Sequence, residues 1–173
     1  MTLYEKDNIV IRTYEEVDIP SIIEFIRCDE IGEKDQAKFL LSNISSEVDE
    51  ILVMLKNNKV IGMVDLMAYY DIIDILTFTV NSENQGLGYD KLLLDIIKSV
   101  ANNEDRDIGY MGENEFLSNN GFVKNGIRLL WKHAKKDMGI PKIFMDSEKQ
   151  KNMKDDFDAA KAAQELYNRG IRL

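Results

Sequence analysis

The sequence predicts one α/β domain followed by a C-terminal helical extension. Its 173 residues, 45 % of them hydrophobic, suit a single globular domain with a proper core. Several segments rich in β-branched and aromatic residues are separated by turn residues. One of these strands leads through a tight glycine turn into a long amphipathic helix. We expect the domain over residues 1–136 and a linker with an amphipathic helix over 137–173.

Composition narrows the classes of partner. The net charge of −9 argues against nucleic acid, whose phosphates need basic surface, and is compatible with a cationic amine substrate. No apolar run reaches transmembrane length and the first residues do not resemble a signal peptide, so we expect a cytoplasmic protein without a membrane partner. With one cysteine, Cys28, and one histidine, His133, we expect neither an intramolecular disulfide nor a metal site.

The first third of the chain predicts a strand and two helices. Residues 8–12 form the expected first strand. Asp18 is a candidate N-cap for the helix that follows, with Pro20 in its first turn. Apolar residues across 33–46 suit a second helix.

The middle of the chain predicts a meander of strands. Residues 50–55 and 60–70 are strands joined by the polar turn 56–59, which makes an antiparallel hairpin. After a short turn, residues 72–80 form the next strand. Asp65 and Asp74 lie among apolar neighbours in these strands.

The glycine turn after this strand predicts an anion site. Gly86 and Gly88 adopt backbone angles that other residues avoid and let a ligand approach closely. The turn directs backbone N–H groups at one point, with the positive end of the helix dipole behind them. Lys91 stands where a dinucleotide-binding fingerprint needs its third glycine, and no Gly-Lys-Ser/Thr triphosphate motif is present.

The last elements follow in order. The helix after the glycine turn runs from about residue 88 to 101, and residues 107–111 form a short strand. Residues 123–133 are expected to form the last paired strand, in which alternate side chains share a face. Beyond a turn at 139–141, a helix from Ser147 carries a narrow apolar stripe that either docks on the domain or pairs two copies in a homodimer.

Two motifs resemble signatures of the GNAT superfamily of acyl-CoA-dependent N-acyltransferases. Residues 83–88, Glu-Asn-Gln-Gly-Leu-Gly, resemble the family's coenzyme-A loop, Arg/Gln-x-x-Gly-x-Gly/Ala, although Glu83 replaces the usual first residue. Residues 116–122 resemble Phe-Tyr-x-x-x-Gly-Phe, with Leu117 in place of the tyrosine that often protonates the coenzyme-A thiolate. The resemblance covers about residues 8–135 and implies a GNAT-type mixed, mainly antiparallel central sheet flanked by helices.

The resemblance implies transfer of an acetyl group from acetyl-CoA, as co-substrate, to a primary amine. The acceptor stays open between a small amine, an amino acid, an antibiotic and a protein terminus. Donor-binding positions carried over from the family are Phe78, Thr79 and Val80 for the pantetheine arm and the backbone of Gln85, Gly86, Leu87, Gly88 and Tyr89 for the pyrophosphate. Lys91 is a candidate for additional positive charge there.

For catalysis, Asp74 matches the family's general-base position, and Asp65 is the second candidate. A carboxylate partly buried among apolar residues has its pKa raised toward working pH. Since Leu117 cannot donate a proton, Tyr110 is the nearest substitute acid, while His133 is expected to be a polar residue at a strand end. Two other functions compete: a GNAT-fold module that binds acyl-CoA or a partner without catalysis, and an interaction protein that dimerises through its terminal helix.

Overall fold

The computed structural model describes residues 1–28, 49–69 and 71–144, with only the backbone for residues 26–28. The predicted helices at 33–46 and from Ser147 onward lie outside the described residues.

The described part of the chain forms one eight-stranded sheet with helices on both faces. The strands are β1 (Thr2–Lys6), β2 (Ile9–Thr13), β3 (Asp49–Lys56), β4 (Lys59–Ala68), β5 (Ile72–Val80), β6 (Asp107–Met111), β7 (Val123–Asn125) and β8 (Arg128–Trp131). The described helices are α1 (Ile19–Cys28), α2 (Tyr89–Asn103) and α3 (Glu115–Asn119). The sheet order is β1-β2-β3-β4-β5-β6-β8-β7, and every neighbouring pair is antiparallel except β5 with β6. The predicted fold class is confirmed.

Three details differ from the sequence prediction. β1 was not predicted, because its mixed polar sequence follows no clear alternation. The predicted single strand at 123–133 is a hairpin of β7 and β8, since Gly126, at φ 62°, supplies the tight two-residue turn between them. Asp18 does not cap α1. Its carboxylate accepts hydrogen bonds from the Arg12 guanidinium (2.6 and 2.8 Å) and from the Glu15 backbone N–H (2.8 Å), within a 3-10 turn that precedes the helix.

The core has two parts, one on each face of the sheet. On the face covered by α2 and α3, residues such as Met54, Val64, Ile73, Leu93 and Ile97 form the larger cluster. On the opposite face, residues of α1 pack on β3 and β4 through Ile22, Phe25, Ile51, Val53 and Met63. β3 and β4 are buried on both faces, which is why they read as nearly continuous apolar runs.

The sheet opens beside the second half of β5. β4 pairs with β5 as far as Val80, but β6 pairs only with Ile72–Ile75. A register irregularity next to Leu76 shifts the alternation of β5 at the point where β6 leaves. Among the described strands, residues 76–80 therefore have a neighbour on one side only, and α2 makes the crossover from β5 to β6.

The chain beyond β8 returns to the domain. Glu104, just after α2, accepts hydrogen bonds from the backbone N–H groups of Ile143 (2.8 Å) and Phe144 (3.2 Å). Both apolar side chains are buried in the larger cluster. Arg106 is almost fully buried, lies 3.5 Å from Glu104 and donates to the Tyr69 carbonyl. The packed part of the described chain thus extends to Phe144.

Candidate functional site

The glycine turn forms an open cradle at the end of β5. Gly86 and Gly88 have φ of 71° and 88°, and a Cβ built on either would meet no atom within 4 Å. Gly88 is the N-cap of α2 and has no side chain to cap it, while Asp90 Oδ1 in the first turn accepts a hydrogen bond from the Lys91 backbone N–H (3.0 Å). Since the first N–H groups of a helix have no intrahelical acceptor, the cradle presents donors and a positive dipole end to an anion.

Side chains of the turn itself hold the cradle in place. The buried Asn84 amide donates to Asn81 Oδ1 (2.6 Å), and Gln85 Nε2 donates to the Val80 carbonyl (2.9 Å). The turn is therefore fixed before any ligand binds. Tyr89 begins α2 immediately behind it.

Two lysines near the cradle differ in their partners and in their position relative to an anion bound there. Lys91, predicted to add charge, forms an exposed ion pair with Asp95 at 2.5 Å. Lys56, at the end of β3, lies 3.4 Å from Asn84 Oδ1 and 4.9 Å from the centre of the Tyr89 ring. Lys56 thus places a cation beside the cradle from a strand distant in sequence, and only the strand order brings it there.

Glu83 lies on the α1 side of the turn. It lines a cavity together with Ser21, Glu24 and Lys59. The unusual acid of the first motif thus shares its surroundings with α1 and with the turn between β3 and β4.

The two sequence motifs meet beside the opening of the sheet. Phe78 of β5 packs its ring against Phe116 of α3, with ring centres 5.7 Å apart. Leu117 is 1 % exposed and belongs to the core on the α2 side. Thr79 and Val80 continue β5 along the opening to the cradle.

Asp74 is buried at the start of the opening. It is 5 % exposed and forms an ion pair with Arg128 of β8, although β6 lies between their strands. Asp74 and Arg128 can meet across β6 because residue 109 is glycine. A Cβ at this position would overlap Asp74 Oδ1 and press on Arg128. Burial raises the pKa of Asp74, and the positive charge of Arg128 opposes that rise. Asp74 Oδ1 accepts no hydrogen bond in the described structure.

Tyr110 lies on the other face of the sheet from Asp74. It pairs with Ile75 and Leu129, and its ring packs with the larger core cluster. Asp74 instead lies level with Gly109. The structure therefore places the two predicted catalytic side chains at the point where β5 and β6 separate, one on each face.

Asp65 shares the face of Asp74. It is 9 % exposed and forms no hydrogen bond or ion pair within the part of the chain that the structure describes. Burial raises its pKa to about 6, with a further contribution from the charge of Asp49. His133, by contrast, contacts Asp107 at 2.8 Å at the opposite end of β6, which fits a structural role. Sequence reasoning missed Arg128, Gly109 and Lys56. Each owes its place to the order of strands in the sheet.

The described residues contain neither a candidate membrane-spanning helix nor a group of metal ligands. None of the helices there combines the length and the apolar character that a membrane crossing requires. No three histidine, cysteine or acidic side chains in that part of the chain are grouped as metal ligands.

Comparison with solved structures gives the fold a name. An acetyltransferase of the GNAT family from Staphylococcus aureus superposes with a TM-score of 0.59 and 21 % identity over 74 % of this chain and 99 % of that one. The ribosomal L7/L12 α-N-protein acetyltransferase RimL, in complex with coenzyme A, superposes with a TM-score of 0.63 and 11 % identity over 79 % of this chain and 100 % of that one. PaiA N-acetyltransferase from Thermoplasma acidophilum, also with coenzyme A, superposes with a TM-score of 0.54 and 15 % identity over 72 % of this chain and 97 % of that one. No protein-family model and no curated protein matches the sequence. The likeness therefore concerns the fold.

Proposed function

We propose that this chain, whose fold is that of the GNAT acetyltransferases, transfers an acetyl group from acetyl-CoA to a primary amine. One observation carries the proposal: an open glycine cradle ends a strand whose last five residues, 76–80, lack a neighbour on one side. The cradle suits a pyrophosphate, and the unpaired strand suits an extended pantetheine arm. A buried carboxylate, Asp74, just before this open stretch of β5, supports the proposal.

The reaction needs a held donor, a neutral amine and an outlet for the thiolate. The amine nitrogen attacks the thioester carbonyl, a C–N bond forms and the C–S bond breaks. Asp74 accepts the amine proton directly or through water, and its raised pKa suits that task. The departing thiolate takes a proton from Tyr110 or from solvent.

A binding module without catalysis is the second candidate. It is favoured by Leu117, which is buried where the family's motif has tyrosine. Thiol release from acetyl-CoA with a panel of primary amines distinguishes the two functions. Release that depends on an amine supports the enzyme, whereas binding of acetyl-CoA without release from any amine supports the module.

Lys56→Ala is expected to weaken coenzyme-A binding about five- to tenfold, because it removes a cation beside the cradle. Lys91→Ala is the matched control and should change the dissociation constant less than twofold, since Lys91 is exposed and paired with Asp95. Isothermal titration calorimetry at two salt concentrations measures both. A larger effect at Lys91 than at Lys56 would contradict the assignment.

Gly88→Glu should remove the thermal shift that acetyl-CoA produces, because a carboxylate would enter the open space of the cradle. The same replacement at Gly139 is the control. Gly139 also has a positive φ, 66°, with open space around it, but it lies beyond β8. Normal affinity in Gly88→Glu, or an equal loss in Gly139→Glu, would remove the cradle from the donor site.

A further inference from the structure

Asp65 is an anomaly that the proposed reaction does not use. It is buried in β4 between Ile51 of β3 and Thr77 of β5, and it forms no hydrogen bond or ion pair with any described residue. A carboxylate that is 9 % exposed and lacks a partner among the described residues is less favourable there than an apolar side chain would be. Thr77 Oγ1, directly across the strand pair, is also buried without a hydrogen-bond partner. Native structures rarely leave such groups unsatisfied unless something binds them.

The position of Asp65 relates it to the reaction site. Met67 pairs with Asp74, and Asp65 is two residues further along β4 on the same face. Diagonal neighbours of this kind are separated by roughly 7–8 Å between Cα atoms. Asp65 is therefore a diagonal neighbour of Asp74, beside which the amine would be acetylated, and Thr77 lies opposite Asp65.

The chemistry of the unsatisfied groups indicates their ligand. A carboxylate and a hydroxyl, both able to accept hydrogen bonds, match an ammonium group, which has three donors and no acceptor. An anion or a neutral apolar group would leave Asp65 unpaired. Asp49, whose charge acts on Asp65, adds to the negative potential on this face.

We propose that Asp65, with Thr77, binds a second ammonium group of the acceptor, so that the substrates are diamines or polyamines with a short spacer. The proposal rests on the proposed acetyl transfer and specifies its acceptor. One nitrogen loses its proton near Asp74 and attacks the thioester, while the other stays protonated on Asp65. The products are the mono-acetylated diamine and free coenzyme A, and the second nitrogen takes no part in bond making.

The experiment compares 1,4-diaminobutane with 1-aminobutane, which has a methyl group in place of the second ammonium. In the unaltered protein, kcat/KM should favour the diamine at least about tenfold, the effect of one charge-assisted interaction. Asp65→Asn should reduce this preference to about twofold or less. Glu50→Gln is the matched control. Glu50 is also a buried acid of the β3–β4 hairpin, but it pairs with Leu66 on the other face, and its replacement should leave the preference intact.

A binding measurement keeps this inference separate from the proposed function. If no amine is acetylated, calorimetry with 1,4-diaminobutane and the coenzyme-A-loaded protein gives the answer. Binding that Asp65→Asn abolishes and Glu50→Gln retains supports a cation site at Asp65, even though the transferase function has failed. A preference or a binding constant that is the same with Asp65 and with asparagine overturns the inference, as does a protein that neither acetylates nor binds the diamine.

Discussion

Asp74→Asn is expected to lower kcat for amine acetylation about 100-fold or more at neutral pH, which is the usual contribution of a general base. Asparagine has nearly the same shape but cannot accept the amine proton. The rate should recover in part at alkaline pH, where more of the amine is already neutral. Binding of acetyl-CoA, measured by calorimetry, should change little, because the cradle lies at the far end of β5.

Arg128→Gln separates a base from a structural ion pair. Arg128 opposes the rise in the pKa of Asp74, so its loss should raise that pKa further and move the acid limb of the kcat/KM profile to higher pH. A purely structural pair predicts similar losses in both variants and no movement of the limb. Full activity of Asp74→Asn at neutral pH would exclude Asp74 as the base.

Gly109→Ala should reduce the free energy of unfolding by roughly 3–5 kcal/mol, the range for breaking a buried ion pair. The added Cβ would occupy the space of Asp74 Oδ1 and would lie 3.3 Å from an Arg128 guanidinium nitrogen, and both side chains of the pair are largely buried. Urea denaturation at pH 7 measures the change. Gly62→Ala is the graded control, because its Cβ would come no closer than 3.3 Å to its nearest neighbours, and it should cost much less.

A double-mutant cycle identifies the cause of that loss. If the clash breaks the Asp74–Arg128 pair, Asp74→Ala should lower the free energy of unfolding clearly less in the Gly109→Ala background than in the unaltered protein. Costs that add within about 0.5 kcal/mol would place the strain elsewhere. Circular dichroism of each variant before denaturation checks that the compared proteins are folded.

Sequence reasoning succeeded where the physical signal is local. The hairpin of β3 and β4, the strand β6 and the glycine turn each follow from propensities within about ten residues. The hairpin of β7 and β8 was missed although Gly126 signals its turn, because the apolar alternation across 127–131 was taken for one strand.

The candidate site depends on contacts that no local pattern contains. Arg128 is 54 residues from Asp74, and it meets Asp74 only because β8 follows β6 in the sheet and a glycine lies between them. Tyr110 was predicted as the substitute acid because it lies close to Leu117 along the chain, which says nothing about its position relative to Asp74. The parallel register instead pairs Tyr110 with Ile75, which sends the two side chains to opposite faces.

The single parallel pairing in the sheet has a consequence for the order of folding. β3, β4 and β5 pair with their sequence neighbours through tight turns, whereas β6 joins β5 only after α2 has crossed over. Contacts of longer sequence separation carry a larger loop-closure cost and form later. The opening beside residues 76–80 exists only once β6 has paired with the first half of β5. We therefore expect the opening to form late in folding. Coenzyme-A binding during refolding would then follow the formation of the β3–β4–β5 meander.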